Sequence, residues 1–146
     1  MLTIVECETY HLTAIKPPMP PTALGLISAY LKHGPAFAGI LPSGEILAAA
    51  GISIQYPGVG DAWAAPSGLV SEYPLLYART IRRFFAKIVK EHSLRRVQTV
   101  VDPRYPSFLR WIDWLGFEVE GIMRRASFDG TDLFLYAKVS ENSHGH

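Results

Sequence analysis

The sequence predicts an α/β or α+β domain in which helices pack against a mixed sheet. Three observations carry that prediction. The first is composition. Apolar residues make up 49% of the 146 positions and charged residues 18%, which suits a chain that buries a real core. The second is the segment from Pro74 to Phe117, which reads as helix, strand, helix and a glycine stop. The third is the order around it: strands precede and follow this segment, so both helices must cover a sheet.

Taken in order, Leu2–Cys7 alternates weakly around Ile4 and Val5 and is read as a short first strand. Thr9–Lys16 has room for one helical turn or two. Lys16–Pro21 (KPPMPP) cannot be regular helix and is either a rigid connector or a mobile loop. From Pro21 the segment PTALGLISAYLKHG reads as helix, with Leu24, Ile27 and Leu31 on one side and Gly34 as its stop. A hairpin follows, Ala36–Leu41 and Glu45–Tyr56 around a Pro42-Ser43-Gly44 turn. In its second strand Ile46, Ala48, Ala50, Ile52, Ile54 and Tyr56 share one face by period two. The opposite face (Ala49, Gly51, Ser53) is small, which predicts that something packs closely over it. Pro57–Asp61 (PGVGD) is read as a turn, and Ala62–Ala65, with Trp63 in it, as a strand that Pro66-Ser67-Gly68 breaks.

In the helix that starts near Pro74, Tyr77, Ile81, Phe84, Phe85 and Ile88 recur at spacings of three and four and make one apolar face. Arg79, Arg83, Lys87 and Lys90 form a separate basic stripe. With a net charge of only +1, that stripe is the solvated face of an amphipathic helix and argues against a nucleic-acid partner. The strand Arg96–Val101 ends at Asp102-Pro103, because proline cannot continue a ladder. A second helix begins near Tyr105-Pro106, runs through Phe108, Leu109, Trp111, Ile112 and Leu115, and stops at Gly116. Phe108, Trp111 and Trp114 are read as core. Glu118–Arg125, a Ser127–Gly130 turn and Thr131–Val139 close a single domain over residues 1–140, and the polar tail 141–146 (ENSHGH) is expected to be unordered.

The remaining chemistry is sparse. Cys7 has no partner for a disulfide and suits a reducing compartment. No apolar run reaches the roughly 18 residues of a membrane span, and MLTIVECE lacks the basic start and apolar block of a secretory signal. A cytoplasmic protein is expected. His11, His33 and His92 lack metal-ligand spacing, and no metal site is expected.

The element order, together with VVDPRYPSFLRWIDWLGFEVEG, resembles the GCN5-related N-acetyltransferase (GNAT) superfamily, where a fifth strand leads into a short helix ending in Leu-Gly-Phe. GVGDAWAAPS, the helix YARTIRRFFAKIV, and the pairing of VDP with RWIDWLGF are similar to a tailed-phage branch that includes an internal virion protein of T7-like phages. The resemblance covers Gly44 to Val139 and is strongest over Val101–Phe117. It implies a GNAT-like, mostly antiparallel sheet of roughly six to seven strands with helices on both faces. It also implies that the fourth and fifth strands, Ala62–Ala65 and Arg96–Val101, splay apart. Acetyl-CoA would be the co-substrate, its pantetheine lying in that gap against exposed backbone groups of Ala64 and Ala65. The pyrophosphate would sit at the N-terminus of the helix starting near Pro74, where unpaired N–H groups and the helix dipole favour an anion. Tyr77, Arg79, Thr80, Arg82 and Arg83 on that helix are the accompanying candidates, the guanidinium groups suiting phosphate oxygens.

Two positions depart from the family pattern. Its phosphate loop, Gln/Arg-x-x-Gly-x-Gly/Ala, corresponds to Ser71–Thr80 (SEYPLLYART), which has no glycine. The tyrosine that many members place four residues before the Gly of Leu-Gly-Phe, and that protonates the leaving thiolate, is Ile112 here. Candidates for acid–base work are therefore Ser67 and Asp102 at the ends of the splayed strands, with Tyr105 close by. Asp102 before a proline also has a simpler reading as a turn-forming, helix-capping residue. Asp61 and Glu6 are read as a turn residue and a solvent-exposed one.

The implied activity is acyl-CoA-dependent N-acylation of an undefined amine or host protein by a phage- or prophage-encoded enzyme, in the host cytoplasm or the virion. A non-catalytic phage assembly module on the same fold is the competing expectation. The two departures favour it, and so would the small face Ala49/Gly51/Ser53 if a partner covered it.

Overall fold

A computed structural model describes residues 1–140; the tail expected to be unordered lies outside the described residues. The strands are β1 Thr3–Glu6, β2 Ala36–Ile40, β3 Ile46–Tyr56, β4 Val59–Pro66, β5 Arg96–Val101, β6 Glu118–Met123 and β7 Leu133–Val139. They form one 7-stranded sheet in the order β1-β2-β3-β4-β5-β7-β6. Each neighbouring pair is antiparallel except β4 and β5, which run parallel. The helices are α1 Thr9–Thr13, α2 Pro21–Leu31, α3 Pro74–Glu91 and α4 Pro106–Trp114, with a 3-10 turn at Gly68–Ser71. A parallel pair needs a crossover connection, and α3 supplies it between β4 and β5.

The helices divide between the two faces. On one, Tyr77, Ile81 and Ile88 of α3 are buried against Phe37, Ala50, Ile52 and Ala62, with Leu109, Trp111 and Ile112 of α4 packed beside them. Phe84 meets Phe37 at 4.8 Å between ring centroids. On the other face Leu12 and Ile15 join Ala49, Trp63 and Ala65, with Leu24, Ile27 and Leu31 of α2 alongside. The small side of β3 is therefore covered by the chain's own first helices, and not by a separate partner. The segment entering β2 also runs close alongside β3: the Ile54 and Ile52 amides donate to the His33 and Pro35 carbonyls, and a Cβ on Gly34 between them would overlap the Ile52 carbonyl.

Three sequence expectations change. The turn expected at Pro57–Asp61 shrinks to Pro57-Gly58, and β4 starts at Val59. Gly58 alone takes the turn's positive φ, 93°, and the Arg95 amide donates to its carbonyl at 2.8 Å. Gly60 is a strand residue that lies against Ile52 and Leu94. The terminal hairpin has a longer connection than expected, with β6 ending at Met123 and β7 starting at Leu133. Side chains hold that turn, because Ser127 and Thr131 both bond Asp129 and each other. Finally, Phe108 and Trp114 are not core; they are 48% and 46% exposed. Leu109, Trp111 and Ile112 take the inward side of α4 instead.

Candidate functional site

β4 and β5 share a ladder over only Val59↔Arg96, Gly60↔Val97 and Asp61↔Gln98. Beyond it the strands part. β3 keeps hold of β4 as far as Pro66, while β7 keeps hold of β5 as far as Val101. At the start of the gap the Thr99 hydroxyl donates to the Ala62 carbonyl at 3.0 Å, a side chain standing where a backbone amide would otherwise reach.

The edge of β4 that faces this wedge follows from strand alternation. The carbonyl of Ala62 points to β5, whereas the amide of Ser67 donates to Leu47 of β3 at 2.9 Å. Even-numbered residues in this stretch turn their backbone groups to the wedge and odd-numbered ones turn to β3. Ala64 thus offers its N–H and C=O to the gap. Ala65 does not: it is registered against Ala49, with its backbone groups on the β3 side.

The chain then passes through the Gly68–Ser71 turn into α3, whose first turn stands at the same end of the sheet. Tyr73 is the N-cap, without a side-chain cap bond, and Pro74 has no amide hydrogen. The Leu75 and Leu76 amides find no partner among the described residues, but both carry exposed apolar side chains. The first helical turn, where the dipole would favour an anion, thus carries leucines.

The candidate side chains scatter. Tyr77 is a core residue, its ring 4.5 Å from that of Trp111 and its hydroxyl pushed to a higher pKa by burial. That corrects the expectation that it touches a cofactor. The Thr80 hydroxyl donates to the Leu76 carbonyl at 2.7 Å. Arg79, Arg82 and Arg83 are exposed, with Arg82 4.8 Å from the centroid of Trp114 and Arg83 5.8 Å from that of Phe84. Ser67 is buried; its hydroxyl donates to the Leu47 carbonyl at 2.7 Å and accepts from the Leu69 amide at 3.1 Å. Asp102 accepts from the Arg104 amide at 3.0 Å and pairs with its guanidinium at 2.6 Å. Those bonds hold its carboxyl below the ordinary range. Arg104 also reaches Asp129 at 2.7 Å and so ties the end of β5 to the β6–β7 turn. Tyr105 is the N-cap of α4, exposed, with its ring 5.4 Å from that of Phe108. The Tyr105 backbone amide donates to the Asp102 carbonyl at 3.3 Å, but the side chains of Ser67, Asp102 and Tyr105 do not bond one another, so the structure brings together no acid–base pair among these three.

A second feature lies on the α1 side of the β4 exit, among residues that carry no sequence motif. A cleft of about 740 Å³ is bounded by α1, the following loop, the β2–β3 turn and Ser67–Leu69. His11, Lys16 and Glu45 line it. The Gly68 amide donates to the Lys16 carbonyl at 2.9 Å and fixes the loop to the strand exit. Among the described residues no cluster of His, Cys, Asp and Glu could hold a metal ion, and no helix is long and apolar enough to cross a membrane.

Neither protein-family models nor curated proteins give a match to the sequence. Solved structures do. The chain is similar to the IAA acetyltransferase from Bacillus cereus (TM-score 0.75, 11% identity, covering 96% of this chain and 100% of that one). It is similar to a GNAT family acetyltransferase from Elizabethkingia anophelis with acetyl-CoA bound (0.74, 14%, 95% and 98%). It is also similar to a ribosomal-protein-S5-alanine acetyltransferase from Vibrio fischeri (0.70, 16%, 97% and 94%). At such identities the shared property is the fold.

Proposed function

On this GNAT fold, we propose that the chain is an acyl-CoA-dependent N-acyltransferase that uses acetyl-CoA. The observation that carries the reading is the wedge after Asp61/Gln98, with Ala64 turning an unpaired N–H and C=O into it. A pantetheine arm carries amides at strand-like spacing and fits such an edge as an added strand would. The pyrophosphate then falls at the first turn of α3. The Leu75 and Leu76 amides point toward it, and Arg79 and Arg83 lie one to two turns further along.

The chemistry asks little of the protein. The acceptor ammonium gives one proton to water. Its lone pair forms the C–N bond at the acyl carbon and the C–S bond breaks. The thiolate takes a proton from the Tyr105 phenol, which water restores, and the nitrogen's second proton leaves to water. In this reading Tyr105 does the work that Ile112 cannot. Ser67 and Asp102 are positioning residues: the first fixes the exit of β4, and the second, through Arg104, fixes the β6–β7 turn. The tailed-phage resemblance of the sequence adds phage or prophage origin to the proposal.

A second reading, the fold kept as a phage assembly module without catalysis, draws on the leucines at the α3 N-terminus and on Ile112. Calorimetry with acetyl-CoA separates the two. The enzyme reading expects saturable binding that Arg79→Ala/Arg83→Ala weakens. No heat at millimolar acetyl-CoA sinks it and leaves the assembly reading.

A further inference from the structure

We infer that the outer edge of β6 is the surface on which two copies of this chain join, strand against antiparallel strand, about a two-fold axis. This pairing draws on the fold alone and is independent of the acyltransferase reading.

The open sheet has two edges, β1 and β6. Each presents backbone N–H and C=O groups on its outer side without a ladder partner. The two edges differ in what they show to water. On β1 the exposed side chains are the polar Thr3 and Glu6, while Ile4 and Val5 are half-buried. On β6 Val119 and Ile122 are 55% and 61% exposed, and Met123 is exposed beside them. An unpaired edge with open apolar side chains is a template for another strand.

The register explains why no helix covers these residues. Val119 lies opposite Tyr136 and Ile122 opposite Phe134. Tyr136 and Phe134 belong to the core beneath α3 and α4, and cross-strand partners share a face. Val119 and Ile122 therefore sit on that same face, one strand further out than the helices cover.

Edges are commonly blunted by charges and bulges. β6 does have a bulge at Glu120, between Val119 and Gly121. Its carboxylate is turned inward, however, where the Arg96 guanidinium of β5 donates to it at 2.7 and 3.0 Å. The middle of the outer edge is thus left without a free charge. A Cβ on the adjacent Gly121 would meet only open space, so nothing of this chain bars a second backbone there.

Charge selects the partner. Glu118 opens the strand and Arg124-Arg125 follow its end; all three are exposed and enter no ion pair among the described residues. An antiparallel copy turned about the Glu120–Gly121 peptide sets each Val119 against Ile122 of the second copy. It also brings each Glu118 to the Arg124-Arg125 end of that copy, so every contact forms twice. A parallel copy would set like charge on like. The edge is complementary to itself reversed, as a two-fold interface requires.

Sedimentation velocity of the full chain from about 2 to about 200 µM tests the pairing, because an edge of this length makes a small interface with a micromolar constant. Monomer should give way to dimer across that range. Ile122→Lys, at an exposed position, should raise the dissociation constant at least about tenfold while the melt of the dilute protein stays at the wild-type midpoint. Glu118→Arg and Arg124→Glu/Arg125→Glu should each stay monomeric alone at low salt and associate when the two are mixed. A role in holding the monomer together would not produce that rescue. A wild-type chain that is monomeric to about 200 µM overturns the inference and leaves the edge to a different chain. A dimer that survives Ile122→Lys, or charge variants that fail to pair when mixed, overturns it as well. Failure of acetyl-CoA calorimetry speaks against the enzyme reading and leaves this pairing untouched.

Discussion

Thr99 and Ala62 are joined across the β4–β5 gap by a hydroxyl-to-carbonyl bond of 3.0 Å, at the point where the backbone ladder has just ended. This bond is the boundary between sheet and wedge. Thr99→Val keeps the shape and removes the donor, leaving the half-buried carbonyl short of a partner. Denaturant unfolding should report a loss of about 1 kcal/mol; an unchanged midpoint would mean that the bond holds nothing.

The alternation along β4 separates two neighbouring alanines. Ala64→Pro removes an amide that has no strand partner, so the thermal melt should stay close to wild type while acetyl-CoA binding disappears. Ala65→Pro removes one on the β3 side and should destabilise the fold by at least about 2 kcal/mol. Equal behaviour of the two variants would reverse the assignment of the edge.

Tyr105 is the proposed acid. Tyr105→Phe should lower kcat by about a hundredfold, within the usual range for a lost proton donor, and leave KM for acetyl-CoA alone. A matching rise in KM would make Tyr105 a binding residue.

Arg104 lies between Asp102 and Asp129, and its bonds, with those from Ser127 and Thr131 to Asp129, hold both carboxyls below their ordinary values. A depressed folded-state pKa contributes stability above the unfolded value, and that contribution disappears as pH falls through the folded one. The clamp should therefore survive mild acid and loosen only below the usual carboxylate range. Carboxyl NMR titration checks this. Arg104→Ala should move both midpoints upward, and unmoved midpoints would remove Arg104 as a cause.

Cys7 is buried, and burial, then the neighbouring Glu8 charge, raises its thiol to about 11. At pH 8 little of it is thiolate, so labelling of the native chain should be at least about a hundredfold slower than after denaturation. Fast native labelling would show that α1 opens.

Much of this architecture was legible because it rests on periodicity. Tyr77, Ile81 and Ile88 are buried at the spacing that marks them, and Gly116 ends α4 in a positive-φ conformation, 92°. Local signals misled where tertiary contacts decided. Gly60 looked like a turn glycine but is small because Ile52 and Leu94 press on it. Phe108 looked like core and lies outside because α4 offers the sheet one narrow side. The cleft was the least legible part. Glu8 and His11 form a reciprocal cap, a pairing that only the folded backbone of α1 brings about, and nothing in their spacing announced it.

The shortness of the β4–β5 ladder has a mechanical consequence. Three rungs couple a leaf of four strands to a leaf of three. That seam has the fewest backbone pairs of any in the sheet, and within the sheet it is the first place at which amide hydrogens should exchange. Anything lodged between the leaves would add rungs of its own, and occupancy would be felt as stiffening all the way to β1 and β6.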